Sequence, residues 1–104
     1  MRVEVIGRNI EATDAIRQHA EKRVEKLPRY FDGTQQITVT IEREGSHPAT
    51  FKVEVVVDVE KHDNFVSVAT DADVYAALDQ AAQKSSRQLT DFKERLKVSH
   101  HRPS

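Results

Sequence analysis

From Phe51 to Val59 every second residue is apolar: Phe51, Val53, Val55, Val57 and Val59 alternate with Lys52, Glu54, Val56, Asp58 and Glu60. Side chains along a strand point alternately to opposite faces, so this run predicts a long strand with one face in a core and one in water. It commits the chain to a sheet. Shorter runs supply neighbours. Val3 and Val5 alternate with Arg2 and Glu4, Ile37, Val39 and Ile41 alternate with Thr38 and Thr40, and a short strand covers Phe65 to Val68. Gly7-Arg8-Asn9, Asp32-Gly33, Gly45-Ser46-His47-Pro48 and His62-Asp63-Asn64 read as the breaks between elements.

Two segments change period. Ile16, Ala20, Val24, Leu27 and Phe31 recur at spacings of three and four, the stripe of an amphipathic helix. Thr13 is its expected N-cap, with Asp14 at the positive end of the helix. Pro28 places the end of the regular helix near Leu27, with Tyr30 and Phe31 packed in an irregular turn. A second, longer helix starts near Asp71 to Asp73 and carries Val74, Leu78, Ala81, Ser85, Leu89, Phe92 and Leu96 as its stripe. The predicted order is β-α-β-β-β-α, an α+β two-layer sandwich with both helices on one face of a four-stranded, antiparallel sheet. Residues 1–98 form one domain, and 99–104 a short polar tail expected to fray.

Composition narrows the class. A chain of 104 residues, 38% apolar and 32% charged, is one soluble globular domain. No apolar run approaches a membrane span, no secretory signal opens the chain, and the absence of cysteine excludes disulfides and thiolate chemistry. The expected compartment is the cytoplasm.

The formal net charge of −1 hides a strong segregation. Residues 17–29 hold Arg17, Lys22, Arg23, Lys26 and Arg29 against Glu21 and Glu25, and residues 84–97 hold Lys84, Arg87, Lys93, Arg95 and Lys97 against Asp91 and Glu94. Each stretch is net +3, which leaves the remainder at −7, largely in the hairpins and on the solvent side of the sheet. On a helical projection Lys22, Lys26 and Arg29 fall opposite the apolar stripe, and Lys84, Arg87 and Arg95 share one exposed face. Side by side, two such faces would suit a phosphate backbone, because each neutralised phosphate releases counterions. Charge alone leaves a second reading open, since basic residues late in a helix also complement its dipole and charged solvent faces are common.

Two blocks carry a resemblance. The first is Gly7-Arg8-Asn9-Ile10-Glu11-Ala12-Thr13-Asp14-Ala15-Ile16 leading into Lys26-Leu27-Pro28-Arg29-Tyr30-Phe31. The second, more specific, is Ala69-Thr70-Asp71-Ala72-Asp73-Val74-Tyr75-Ala76-Ala77-Leu78-Asp79, followed by Lys84, Arg87-Gln88-Leu89 and Lys93. Over roughly residues 1–97 the chain resembles the ribosome hibernation-promoting factor family, which includes the ribosome-associated inhibitor A proteins. The resemblance implies a β-α-β-β-β-α fold and a non-enzymatic role: binding the small ribosomal subunit and its ribosomal RNA in the channel used by messenger and transfer RNA, so that translation is silenced under stress. It implicates Lys22, Arg23, Lys26 and Arg29 on the first helix and Lys84, Arg87, Lys93 and Arg95 on the second. The chain is similar to the short form of the family, without the additional C-terminal domain of long members. Asp91 and Ser85 depart from the family's usual residues. Asp91, four residues from both Arg87 and Arg95, is expected to pair with one or both, and Ser85 to bond the carbonyl four residues earlier.

Other chemistry is not signalled. His19, His47, His62, His100 and His101 are scattered without metal-ligand spacing, so neither metal nor cofactor is expected. Asp71, Asp73 and Asp79 read as capping and dipole partners at a helix start rather than catalytic carboxylates. No nucleophile elbow or phosphate loop is present, and no small-molecule substrate is implied. Phe31 and Phe92 are expected in the core, whereas Tyr30 and Tyr75 lie nearer an edge. Two other functions compete: a protein-protein adaptor using the acidic sheet face at Glu54 and Asp58, and a general double-stranded-RNA binder.

Overall fold

The computed structural model describes residues 2–29, 33–45 and 49–101, the side chains of residues 97–101 excepted. Tyr30, Phe31, Asp32, the turn residues Ser46-His47-Pro48 and the side chains of Lys97, His100 and His101 therefore lie outside the described residues. The elements run β1 (Arg2–Arg8), α1 (Asp14–Val24), a 3₁₀ turn (Leu27–Arg29), β2 (Thr34–Glu44), β3 (Thr50–Val59), β4 (Phe65–Asp71) and α2 (Val74–His101). The order matches the sequence reading, an α+β sandwich with a four-stranded sheet.

One part of that reading is corrected. The sheet is mixed: β1 pairs in parallel with β2, and only β2-β3-β4 is antiparallel. The cause is α1. A helical crossover brings the chain back to the end of the sheet where it began, so the next strand runs alongside the first, whereas the hairpins that follow must reverse direction.

The core lies between the sheet and the helices. Val5, Ile37, Val39, Ile41, Val53, Val55, Val57, Val59 and Ala69 face inward from the strands. Ile16, Ala20, Val24 and Leu27 meet them from the first helix and its turn, and Val74, Ala77, Leu78, Ala81, Ala82 and Leu89 from α2. The three buried alanines on α2 let its backbone come close to the valines of β3 and to Ser67 and Ala69 of β4, over which the helix lies. Thr13 caps α1 as expected, its hydroxyl accepting from the Ile16 N–H at 3.3 Å. Gly7 is required where β1 turns into the loop before α1, since a Cβ there would sit 2.4 Å from the Ile10 carbonyl oxygen.

At the far end α2 outruns the sheet. Phe92 is only half-buried, packed 5.2 Å from the Phe65 ring and 4.4 Å from His62, and Leu96 is 37% exposed, so neither is the core residue that the stripe suggests. The helical backbone continues to His101, into the stretch read as a tail, because nothing before Pro103 breaks it.

Helix side chains also close the sheet's two edges. Lys84 Nζ donates to the Val68 carbonyl at 2.7 Å and Gln88 Nε2 to that of Val66 at 3.0 Å, while Arg17 Nη1 donates to Val5 on β1 at 3.3 Å. Capped carbonyls make a poor template for a further strand.

Candidate nucleic-acid interface

The eight basic residues singled out in the sequence are all exposed, but the fold does not place them as one row. Lys22 and Arg23 rise from α1 and Lys26 from the turn just past its end, beside α2. Together with His19 they line a hollow of about 280 Å³. Arg23 and Lys26 also line the groove between the helices, about 390 Å³, whose other wall is Asp79, Ala82, Gln83 and Ser86 of α2. Gln83 turns the corner into a third hollow of about 190 Å³, shared with Gln80, Lys84 and Arg87. The three are joined by shared residues, giving a strip that runs from Lys22 across the groove to Arg87.

Lys84 is at the strip's far end, since its ammonium is tied to the β4 edge. Lys93 is nine residues beyond Lys84, half a helical turn round, so these two lysines leave α2 in opposite directions. Arg29, on the 3₁₀ turn, and Lys93 and Arg95, late on α2, line none of the three hollows. The structure thus gathers five of the eight residues and leaves three outside.

Several partners differ from those expected. Asp91 is exposed and, among the described residues, forms no ion pair with Arg87 or Arg95, because water competes well for an exposed pair worth only about 0.3–0.5 kcal/mol. Ser85 is fully buried, and its hydroxyl donates to Ser67 Oγ on β4 at 3.0 Å rather than to its own helix. Asp71 and Asp73 do cap α2. Asp73 accepts the Tyr75 N–H, and Asp71 accepts the Asp73 N–H and the Gln80 amide, each at 2.9 Å. The Asp73 N–H beside it, and then Gln80, hold the Asp71 carboxyl below its ordinary value. Asp79 does not belong with them. It sits more than a turn further on, reaching sideways to Arg23 and His19. Sequence reasoning missed that contact, as it missed Gln83 and Ser86 in the groove. The His19/Arg23 spacing of four puts both on one flank of α1, yet nothing in the sequence names a partner some sixty residues away.

The opposite face of the sheet is less acidic than the sequence suggests. Arg8, Glu42 and Lys52 lie in register across β1, β2 and β3, so charges alternate and offset one another. Nearer β4 the same face carries Val56 beside Val66, with Val68 opposite Glu54. Among the described residues no group of three or more potential metal ligands is present, and no helix is long and apolar enough to cross a membrane.

Comparison with known proteins fits this architecture. The family model described as Sigma 54 modulation protein / S30EA ribosomal protein matches residues 3–97, nearly the whole chain. The chain belongs to that family. Among S30EA relatives, the ribosome hibernation promoting factor of Escherichia coli K12 is 34% identical over 100 residues, covering 93% of this chain and 98% of the relative. The ribosome hibernation promotion factor of Lactococcus lactis subsp. cremoris is 29% identical over 96 residues, 92% of this chain but 51% of that longer relative. The N-terminal domain of Thermus thermophilus Protein Y superposes with a TM-score of 0.77 at 34% identity, covering 88% of this chain and 99% of that one. A ribosomal subunit interface protein from Coxiella burnetii shares the S30EA fold, with a TM-score of 0.79 at 19% identity, covering 90% and 99%.

Proposed function

We propose that this protein is a ribosome hibernation factor that binds ribosomal RNA of the small subunit through the surface of its two helices. In that position it occupies the channel of messenger and transfer RNA and holds the ribosome in a silent, stored state. The observation that carries the reading is the strip from Lys22 across the inter-helix groove to Arg87, in which Lys22, Arg23, Lys26, Lys84, Arg87 and the Gln83 amide stand beside a single acid, Asp79. Lysine and arginine supply the salt-dependent attraction to phosphate, and amide and hydroxyl groups fix register on sugar and phosphate oxygens. The relatives' names support the same role. The work would be done by occupancy, in the cytoplasm where ribosomes are, with no catalysis, cofactor or small-molecule substrate.

Lys22, Arg23, Lys26, Lys84 and Arg87 form the main contact in this proposal, with Arg29, Lys93 and Arg95 as peripheral phosphate contacts. An adaptor role for the sheet face is less well supported, given the offset charges of Arg8, Glu42 and Lys52. Channel occupancy has a direct test. Purified small subunits are loaded with messenger and labelled transfer RNA in the presence of increasing protein. Transfer RNA is expected to be displaced in proportion to protein bound. Simultaneous binding of both, with no loss of label, would place the protein elsewhere on the ribosome. Equal affinity for an arbitrary RNA duplex would identify a general double-stranded-RNA binder.

A further inference from the structure

Among the described residues Asp79 makes the only ionic link between the two helices. Its Oδ1 lies 2.6 Å from Arg23 Nε and 2.8 Å from His19 Nε2. His19 and Arg23 sit one turn apart on α1, so one carboxylate of α2 holds two successive turns of the other helix. Tyr75, four residues before Asp79, sets its ring edge-on to His19, with centroids 5.0 Å apart and planes at 78°. The imidazole is therefore held by the same helix at two points.

An acid in this place needs a reason. Asp79 lines the inter-helix groove alongside Arg23 and Lys26, where a bare carboxylate would repel an approaching phosphate. What it does to Arg23 offsets that. Its contact is at Nε, the guanidinium nitrogen nearest the stem, so the terminal nitrogens extend beyond it, on a side chain that is 51% exposed. A free arginine loses many rotamers when it grips a phosphate, and one already held in place loses fewer.

We propose that Asp79 is a positioning residue for RNA phosphate: it fixes Arg23 so that its terminal nitrogens and Lys26 together meet one phosphate at the inter-helix groove. This rests on the proposed ribosomal RNA binding and deepens it. The rival view, that Asp79 merely cancels one positive charge, predicts the opposite sign on removal.

Binding of D79N, D79E, R23Q and the D79N/R23Q pair to purified small ribosomal subunits, measured across salt concentrations, separates the two. D79N is expected to weaken binding about three- to tenfold, the scale of immobilising one rotamer-rich side chain. D79E should recover part of this loss. R23Q should lower the slope of log affinity against log salt by less than the roughly 0.7–0.9 of a whole phosphate contact, since Lys26 stays on that phosphate, whereas D79N should leave the slope alone. In the R23Q background, D79N should add no further loss. Tighter binding by D79N, or the same loss in both backgrounds, would overturn the proposal. Should D79N fail to fold, as judged by thermal melting, R23K decides the point, because it keeps the charge without the Nε contact. Several-fold weaker binding by R23K supports positioning, and wild-type affinity overturns it. If the wild-type protein binds no small subunits at any salt, the functional reading falls and takes this one with it. If wild type binds and the two substitutions are additive, only the role of Asp79 is lost.

Discussion

Ser85 and Ser67 bring two hydroxyls into contact inside the core, each residue at most 3% exposed. Ser85→Ala would leave the Ser67 hydroxyl buried without that partner, at a cost of about 1–3 kcal/mol. Replacing both by alanine removes the unmet hydrogen bond as well as the bond itself, so the double variant should recover much of the loss. Urea unfolding of the three variants checks this, and a double variant as unstable as the sum of the singles would show that the hydroxyls act separately. The sequence indicates that a polar residue interrupts the apolar stripe at position 85. It does not identify the partner, because Ser67 lies on a strand eighteen residues earlier and the contact depends on how α2 crosses β4. Periodicity reports which face a residue is on, and a side chain's partner is decided by tertiary packing. Asp79 and Arg23 illustrate the same limit at the candidate site.

At the scale of elements, most of the fold is legible in period. The alternation of β3 and the stripes of α1 and α2 put Val53, Val55, Val57, Ile16, Ala20, Val24, Leu78, Ala81 and Leu89 in the core, where they are found. Strand polarity leaves no trace in alternation, so the parallel β1–β2 pair emerges only from the crossover of α1. The start of α2 makes a prediction about acid stability. Asp71 is held below its ordinary value of 3.8 by the Asp73 N–H first and by Gln80 next. A depressed carboxyl contributes stability above its unfolded value, and that contribution is lost as pH falls through the lowered folded value. Asp71→Asn should therefore be less stable than wild type near neutrality and converge with it in acid, as followed by thermal melting between pH 7 and pH 2. Parallel curves would show that the carboxylate's ionisation is not what holds the cap. Further along α2, Asp91 makes no ion pair among the described residues, so it lowers the local positive potential without orienting Arg87 or Arg95. Asp91→Lys is expected to tighten binding to small subunits at moderate salt, at a helix cost of a few tenths of a kcal/mol for each new like-charge neighbour, roughly 0.2–0.5. Unchanged or weaker binding would contradict that role.

Over the whole molecule, 57 × 24 × 19 Å, the chain divides into a helical layer facing one way and an open sheet face turned the other. The basic stretches belong to the helical layer, and this is how a protein of net charge −1 can present a cationic surface. That segregation is visible in the sequence. The actual shape of the strip is not, since angular position on an isolated helix cannot tell that Lys84 turns to the β4 edge or that Gln83 bridges two hollows. The measurement that bears most directly on the helical layer is co-sedimentation of wild type and of the Lys26→Glu/Arg87→Glu double variant with purified small ribosomal subunits, repeated from low to high salt. Wild type should pellet with the subunits at low salt and be released as salt rises, with a slope of about 0.7–0.9 per phosphate contact. The double variant, one charge reversed on each side of the groove, should bind at least tenfold more weakly (an estimate of about 0.7 kcal/mol or more per lost contact) with a shallower slope. A folded double variant that sediments as well as wild type at every salt concentration would contradict binding through the basic helix surface.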